Sequence, residues 1–250
     1  MNNPFESEKS PYYLTFVTDA VSLLRDLSFH KVMPNLIFMD PPDNIKLGYQ
    51  GYDDNLPSHA YYGMLESCLI WSMKISPVVY LSYYWKHDLE IKYMVHTLLK
   101  RMYPSFDAKT FIWRFTFGQH NEHDFGSGYR PLLRLIRKGT EVHPPRIVSK
   151  RQELGDIRAN TDGRIPDDVW EFSRIQGNNS ERRSWHPTQH PEMLLDRIIR
   201  SHTNGLDLVV DPFAGTGTTL RVSHYLKRSC ITSDINPEYI QRINDEMVHI

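Results

Sequence analysis

The sequence predicts an α/β protein with a mostly parallel sheet and helices on both faces, and three observations carry that expectation. The stretch after Gly205 reads as strand, Gly-rich turn, helix, strand and helix, which contains a βαβ unit. Asn35 to Met39 is a short apolar run between Pro34 and Asp40, as a buried parallel strand requires. Between these, "SHAYYGMLESCLIWSMKI" and "LEIKYMVHTLLKRM" have helical apolar spacing, while "PVVYLSYY" and "FIWRFTF" read as strands.

At 250 residues and 40% hydrophobic content, the chain can bury one sizeable core and still carry an insertion. The amino terminus, "MNNPFESEKSPYY", is too polar for a signal peptide, and there are no 18 uninterrupted apolar residues. A cytoplasmic protein with no membrane partner is expected. The cysteines, Cys68 and Cys230, lie far apart and read as buried small hydrophobes.

The first strand is followed by "DPPDN". Asp40 then sits at a strand's carboxyl end, where open α/β sheets bind ligands. Pro41 and Pro42 have fixed φ and no N–H, so the loop leaves the sheet in one direction with its carbonyls free. Further on, His120 and His123 have an HxxH spacing with no third ligand, which favours a polar loop near substrate over zinc. Residues 139–184 are rich in Arg, Gly, Asn and Asp without periodic apolar residues and read as an insertion. Around its start, residues 134–151 carry a basic run that alone would be a solvated face.

At the carboxyl end, a strand over Leu208 to Val210 leads through Gly215 and Gly217 into a helix from about Thr218 to Leu226. A second strand, Cys230 to Thr232, ends in Asp234, and another helix opens after Pro237. Glycines let a backbone approach a ligand, a helix N-terminus presents free N–H groups, and an acid after the next strand suits ribose hydroxyls. The spacing is neither GxGxxG nor a P-loop, so a phosphate ligand is disfavoured.

"DPFAGTGTT" resembles the S-adenosylmethionine loop of DNA amino-methyltransferases, and "DPPDN" resembles their catalytic DPPY tetrapeptide. The order, catalytic before cofactor, is similar to the permuted beta class. The resemblance implies a class I methyltransferase-like, Rossmann-like fold over residues 1–138 and 185–250, with a target-recognition insertion at 139–184. "YYLTFVTDAVSLL" is similar to the segment that places an acid, Asp19, by the cofactor adenine, and "SWHPTQHPEMLLDRII" to the segment holding its methionine end. The implied cofactor residues are Asp19, Asp40, Thr188, Gln189, Asp211, Phe213, Ala214, Gly215, Thr216, Gly217, Thr218, Thr219 and Asp234.

Methylation of an exocyclic base amine fits "DPPDN" chemically. The amine's lone pair is delocalised into the ring, and acceptors for its two hydrogens pull the nitrogen towards tetrahedral geometry. Asp40 and the Pro41 carbonyl, with Pro42 fixing the loop, are the expected catalytic group. The base must be flipped out of the duplex and stacked. Two departures stand out: His190 stands where the family often has Lys, and Asp43 where it has the stacking aromatic. Tyr49 or Trp85 is the expected replacement at the base, ahead of Tyr52, Tyr84 and Phe117. With DNA as partner, the basic run acquires meaning: Arg137, Lys138, Arg146, Lys150, Arg151, Arg182 and Arg183 are candidate phosphate contacts. The family tends to carry Asp before Pro-Pro for adenine and Ser for cytosine, so the resemblance implies adenine N6. Cytosine N4, or a binding protein that has lost catalysis through Asp43, are the alternatives. A homodimer follows by analogy with the family, and a cognate restriction endonuclease is left open.

Overall fold

In a computed structural model, residues 10–115 and 122–249 are described; Phe117 and His120 lie outside them. The elements run β1 (Tyr13–Val17), α1 (Ala20–Phe29), β2 (Leu36–Met39), α2 (Ser58–Ile75), β3 (Val78–Ser82), α3 (Asp88–Arg101), β4 (Phe106–Arg114) and β5 (Tyr129–Arg137). They continue with α4 (Lys150–Glu153), β6 (Val169–Glu171), α5 (Glu192–His202), β7 (Leu208–Asp211), α6 (Thr218–Tyr225), β8 (Ser229–Asp234) and α7 (Pro237–Met247).

The strands form one sheet in the order β1-β8-β7-β2-β3-β5-β4-β6, with β5 antiparallel to both neighbours and the other pairings parallel. Every residue of β2, β3 and β7 is buried, which is why these strands read as unbroken apolar runs. Their side chains alternate between two cores. Ile37, Met39, Val79 and Leu81 pack under α1, α2 and α3, whereas Leu36, Phe38, Val78 and Tyr80 pack under α5 and α6. Both cysteines are buried, and burial pushes the Cys68 thiol up to about 12. No helix among the described residues is long and apolar enough to cross a membrane.

Three features depart from the sequence reading. "YRPLLRLIR", given no element from sequence, is β5, and the "FIWR" of "FIWRFTF" is only the end of β4. Pro131 obscured β5 because proline removes a ladder donor, although its carbonyl still accepts from the Tyr83 N–H. The stretch 139–184 is interrupted by β6, whose Trp170 is buried in the second core against the Phe111 ring, so residues 169–171 belong to the sheet.

Candidate functional site

Parallel strands end on one edge, and this sheet places an acid at or just past four adjacent ends. Asp19 follows β1, Asp234 closes β8, Asp211 closes β7 and Asp40 follows β2. Over them lies a cavity, open to solvent, with about 970 Å³ of empty space between its walls and the surface. Of the residues assigned to the cofactor from sequence, Asp19, Asp40, Thr188, Gln189, Asp211, Phe213, Ala214, Gly215, Thr216, Thr218, Thr219 and Asp234 line it. Gly217 does not. It caps α6 at φ +75°, and a Cβ there would meet Ile243 Cγ1 at 2.9 Å, so its glycine serves helix packing and not ligand approach. At Gly215, φ is +51° and a Cβ would crowd the His186 ring at 3.3 Å.

The acids are held by local donors. Asp19 caps α1 by accepting from the Ser22 N–H at 2.9 Å. Asp234 accepts from the N–H groups of Gly215 (3.0 Å) and Asn236 (2.9 Å), tying the Gly-rich turn to β8. Asp211 accepts from the Phe213 N–H and the Thr219 hydroxyl. Burial, with the charge of Asp40 adding to it, raises the Asp211 carboxyl to about 7 in spite of those bonds.

The segment after "DPPD" crosses the mouth of this cavity. Asp54, buried, accepts from the N–H groups of Asn44, Ile45 and Leu47, and the Asn44 side chain pairs with both backbone groups of Leu56. Farther along, the Gln50 carbonyl accepts from the Asn236 amide, and the Gln50 N–H donates to the Tyr239 hydroxyl. Tyr49, Gln50 and Tyr52 are thereby brought onto the cavity wall.

A second, wider cavity of about 1680 Å³ shares Asp40, Tyr49, Thr188, Gln189 and His190 with the first. Pro41, Asp43, Tyr84, Lys86, Trp113, Phe115, Tyr129, Arg130, Arg174 and Arg182 also line it. Asp43 does not present a free side chain there. Both its oxygens accept from the Arg130 guanidinium at 2.8 Å, and Arg130 Nη2 also donates to Asp40 Oδ1 at 2.8 Å. Arg130 Nε donates to Ser82 Oγ at 2.6 Å; Ser82 Oγ lies 3.1 Å from His190 Nε2, and His190 Nδ1 lies 3.1 Å from Asp40 Oδ2. Burial opposes the charge of Asp40, but the His190 imidazole and the Arg130 guanidinium outweigh it and hold its carboxyl well below the usual carboxylate range. The loop is gripped on its backbone too, since His87 Nε2 donates to the Asp43 carbonyl at 2.7 Å.

The remaining expectations divide. Tyr49 lies on the wall between the cavities, with its ring centroid 5.5 Å from that of His186. Trp85 lines neither cavity; its indole Nε1 is buried without a hydrogen-bond partner among the described residues. Arg137 and Lys138 are displaced from the site. β5 runs antiparallel, so its end at Arg137 pairs with Phe106 at the far edge of the sheet, where Lys138 Nζ donates to the Pro104 carbonyl. Arg146 is engaged by the Asp162 and Gly163 carbonyls, while Lys150 and Arg151 are exposed on α4. None of these five lines either cavity. Arg182 lines the second cavity and also donates to the Arg183 and His186 carbonyls; Arg183 pairs with Glu246 at 2.7 Å.

Sequence reasoning did not assign Ser82, Arg130, His186 or Tyr239 to the site, and it marked His190 only as standing where the family often has Lys. One signal was available: an acid standing where an aromatic would be buried demands a cation, and the nearest in sequence, Lys46, is exposed and does not supply it.

With this geometry in view, comparisons with known proteins converge. The sequence model of the DNA methylase family matches residues 35–245. The chain is 30% identical over 236 residues to the type II methyltransferase M.HpaI of Haemophilus parainfluenzae, covering 92% of this chain and 72% of that protein. It is 28% identical to the DNA adenine methyltransferase YhdJ of Escherichia coli K12, over 89% of this chain and 78% of YhdJ. Among solved structures, the M1.HpyAVI–SAM complex superposes with a TM-score of 0.66 at 19% identity, covering 94% of this chain and 98% of that one. The cytosine-N4-specific PvuII DNA methyltransferase superposes with a TM-score of 0.67 at 18% identity, covering 94% and 88%. The fold and site define a class I methyltransferase. The chain belongs to the DNA methylase family, the S-adenosylmethionine-dependent DNA amino-methyltransferases.

Proposed function

We propose that this protein methylates the exocyclic N6 amine of a flipped-out adenine at a specific DNA sequence. The observation that carries this reading is the position of Asp40, which lines both cavities and is the acid of the Asp-Pro-Pro tetrapeptide. The name of the relative YhdJ, a DNA adenine methyltransferase, supports adenine.

The first cavity suits the cofactor by its donor set. Asp19 and Asp234 offer acceptors to hydroxyls and positive charge, while Phe38, Met64, Phe213 and Ile235 supply apolar walls for a purine. Thr188 and Gln189 stand on the wall shared with the second cavity, where the methionine end is expected. When bound, S-adenosylmethionine supplies a methyl group activated by its sulfonium. The chain's own task is to present the nucleophile.

Asp40 is held ionised and accepts a hydrogen bond from the target amine; the Pro41 carbonyl, without a neighbouring N–H from Pro42, accepts the second. Both pull the nitrogen out of conjugation as it begins to form its new bond, so their contribution is greatest in the transition state. Tyr49, on the shared wall, is the base-stacking aromatic of this reading, supported by Tyr84, Trp113 and Phe115 in the second cavity. Target recognition falls to residues 172–184, of which Arg174, Gln176, Gly177 and Arg182 line that cavity. The test is nucleoside mass spectrometry of mixed-sequence DNA incubated with protein and cofactor. N6-methyladenine is the expected product; N4-methylcytosine would transfer the reading to the other amine, and no methylated base would remove it.

A further inference from the structure

Two positions at which the chain departs from its family, 43 and 190, meet at one carboxylate. Asp40 receives Arg130 on Oδ1 and His190 on Oδ2, and Asp43 receives the guanidinium fork on both oxygens. The four hydrogens that Arg130 uses leave one of its five N–H groups uncommitted, and it sits 14% exposed between Asp43 at 8% and Asp40 at 20%. A buried aspartate with a bidentate arginine is a fixed pair.

We propose that Asp43 and Arg130, with Ser82 and His190, form the holder that positions Asp40, and that Asp43 acts on the reaction only through Arg130. This rests on the catalytic reading of Asp40 given above. Hydrogen-bond direction makes the holder self-consistent. Arg130 Nε can only donate, so Ser82 Oγ accepts and its own hydrogen is free for His190 Nε2. Neutral His190 then carries its hydrogen on Nδ1, facing Asp40; charged His190 does so as well. Either form fixes the second oxygen of the carboxylate.

Asp43 has a definite task in this arrangement. An arginine facing a single carboxylate takes it bidentately, engaging both oxygens along the fork. By occupying the Nη1/Nη2 fork, Asp43, together with Ser82 on Nε, limits Arg130 to one hydrogen bond on Asp40, so that lone pairs remain to receive the amine. The reversed direction of β5 makes this possible, because it brings Arg130 to the edge where β2 and β3 end. Arg130, Asp43, Ser82 and His190 are positioning residues.

The test is a double-mutant cycle with Asp43→Asn, Arg130→Met and the pair, plus Arg130→Lys as the conservative variant. Single-turnover methylation, cofactor affinity and the NMR titration of the Asp40 carboxyl are read for each. Asp43→Asn and Arg130→Lys are expected to lower the methylation rate about 10-fold and Arg130→Met about 100-fold, with cofactor affinity unchanged. The pair is expected to be faster than Arg130→Met alone, because removing the uncompensated second acid relieves repulsion on Asp40. Only Arg130→Met should raise the Asp40 titration strongly. Additive losses in the pair, or an Asp40 titration unmoved by Arg130→Met, would overturn the holder. An inactive wild type would overturn the catalytic reading instead, and the titration would still decide the holder. Should Arg130→Met fail to fold, Asp43→Asn and Arg130→Lys decide it: rates within twofold of wild type for both would sink it.

Discussion

The two cavities that meet at Asp40 are built by different means. On the cofactor side, acids at strand ends are satisfied mostly by backbone N–H groups and a hydroxyl within about 20 residues: Asp234 by Gly215 and Asn236, Asp211 by Phe213 and Thr219, Asp19 by Ser22. On the target side, the acids depend on side chains from remote strands. Asp43 and Asp40 are joined to Arg130 from β5, and Asp40 to His190 from the approach to α5. The first construction tolerates sequence change, because backbone donors are supplied by any residue but proline. The second does not, because each member is buried or largely buried opposite a charge and fails singly.

If the comparison is sound, damage on the two sides should separate into chemistry and binding. The largest effect is expected at their junction. Asp40→Ala should lower the methylation rate at least ~100-fold, as for a group acting mainly in the transition state, while cofactor affinity stays within about threefold. Single-turnover transfer of a labelled methyl group and equilibrium titration of the cofactor measure the two separately. A matching collapse of affinity would mean that the cavities are not functionally distinct.

A smaller effect should follow on the cofactor side. Asp234→Ala leaves the Gly215 and Asn236 N–H groups without their acceptor and loosens the turn over the cavity. Affinity for S-adenosylmethionine should fall about 10-fold, and the thermal shift at fixed cofactor concentration should shrink in step, since a ligand that binds only the folded state stabilises by mass action. The methylation rate at saturating cofactor should change by less than about threefold. A rate loss that saturation does not repair would place Asp234 among the groups serving the chemistry.

The same contrast explains what was legible in sequence. The βαβ unit and its Gly-rich turn are contiguous, and their acids use near neighbours, so the meeting of these residues at the first cavity could be read from order and spacing. Arg130 is 87 residues from Asp43, on a strand disguised by Pro131 and running against its neighbours. Nothing local marks such a partner. Physical reasoning could still have asked for it, because a buried aspartate in place of an aromatic requires a counter-charge. That Arg137 and Lys138 lie away from both cavities was hidden for the converse reason. Charge can be counted along a chain, but strand direction decides at which edge of a sheet it emerges.

That last point yields the smallest expected effect and sharpens the target side. Lys86 is exposed on the rim of the second cavity, beside Tyr84, whereas Arg137 and Lys138 emerge where β5 ends, at the opposite edge of the sheet. On the proposed reading, DNA that delivers a base to Asp40 runs over the rim, and a phosphate contact there releases a counterion on binding. Lys86→Ala should therefore weaken DNA binding about threefold and reduce the slope of log affinity against log salt by about 1, uniformly across sequences. Arg137→Ala and Lys138→Ala should leave both quantities unchanged, because Lys138 is engaged by the Pro104 carbonyl and the Arg137 guanidinium lies over the Phe106 ring. Fluorescence anisotropy on one duplex across a salt series distinguishes the two sets. A reversed outcome, with the far-edge residues carrying the salt dependence, would put the DNA on the wrong side of the sheet for the second cavity and break its assignment to the target base.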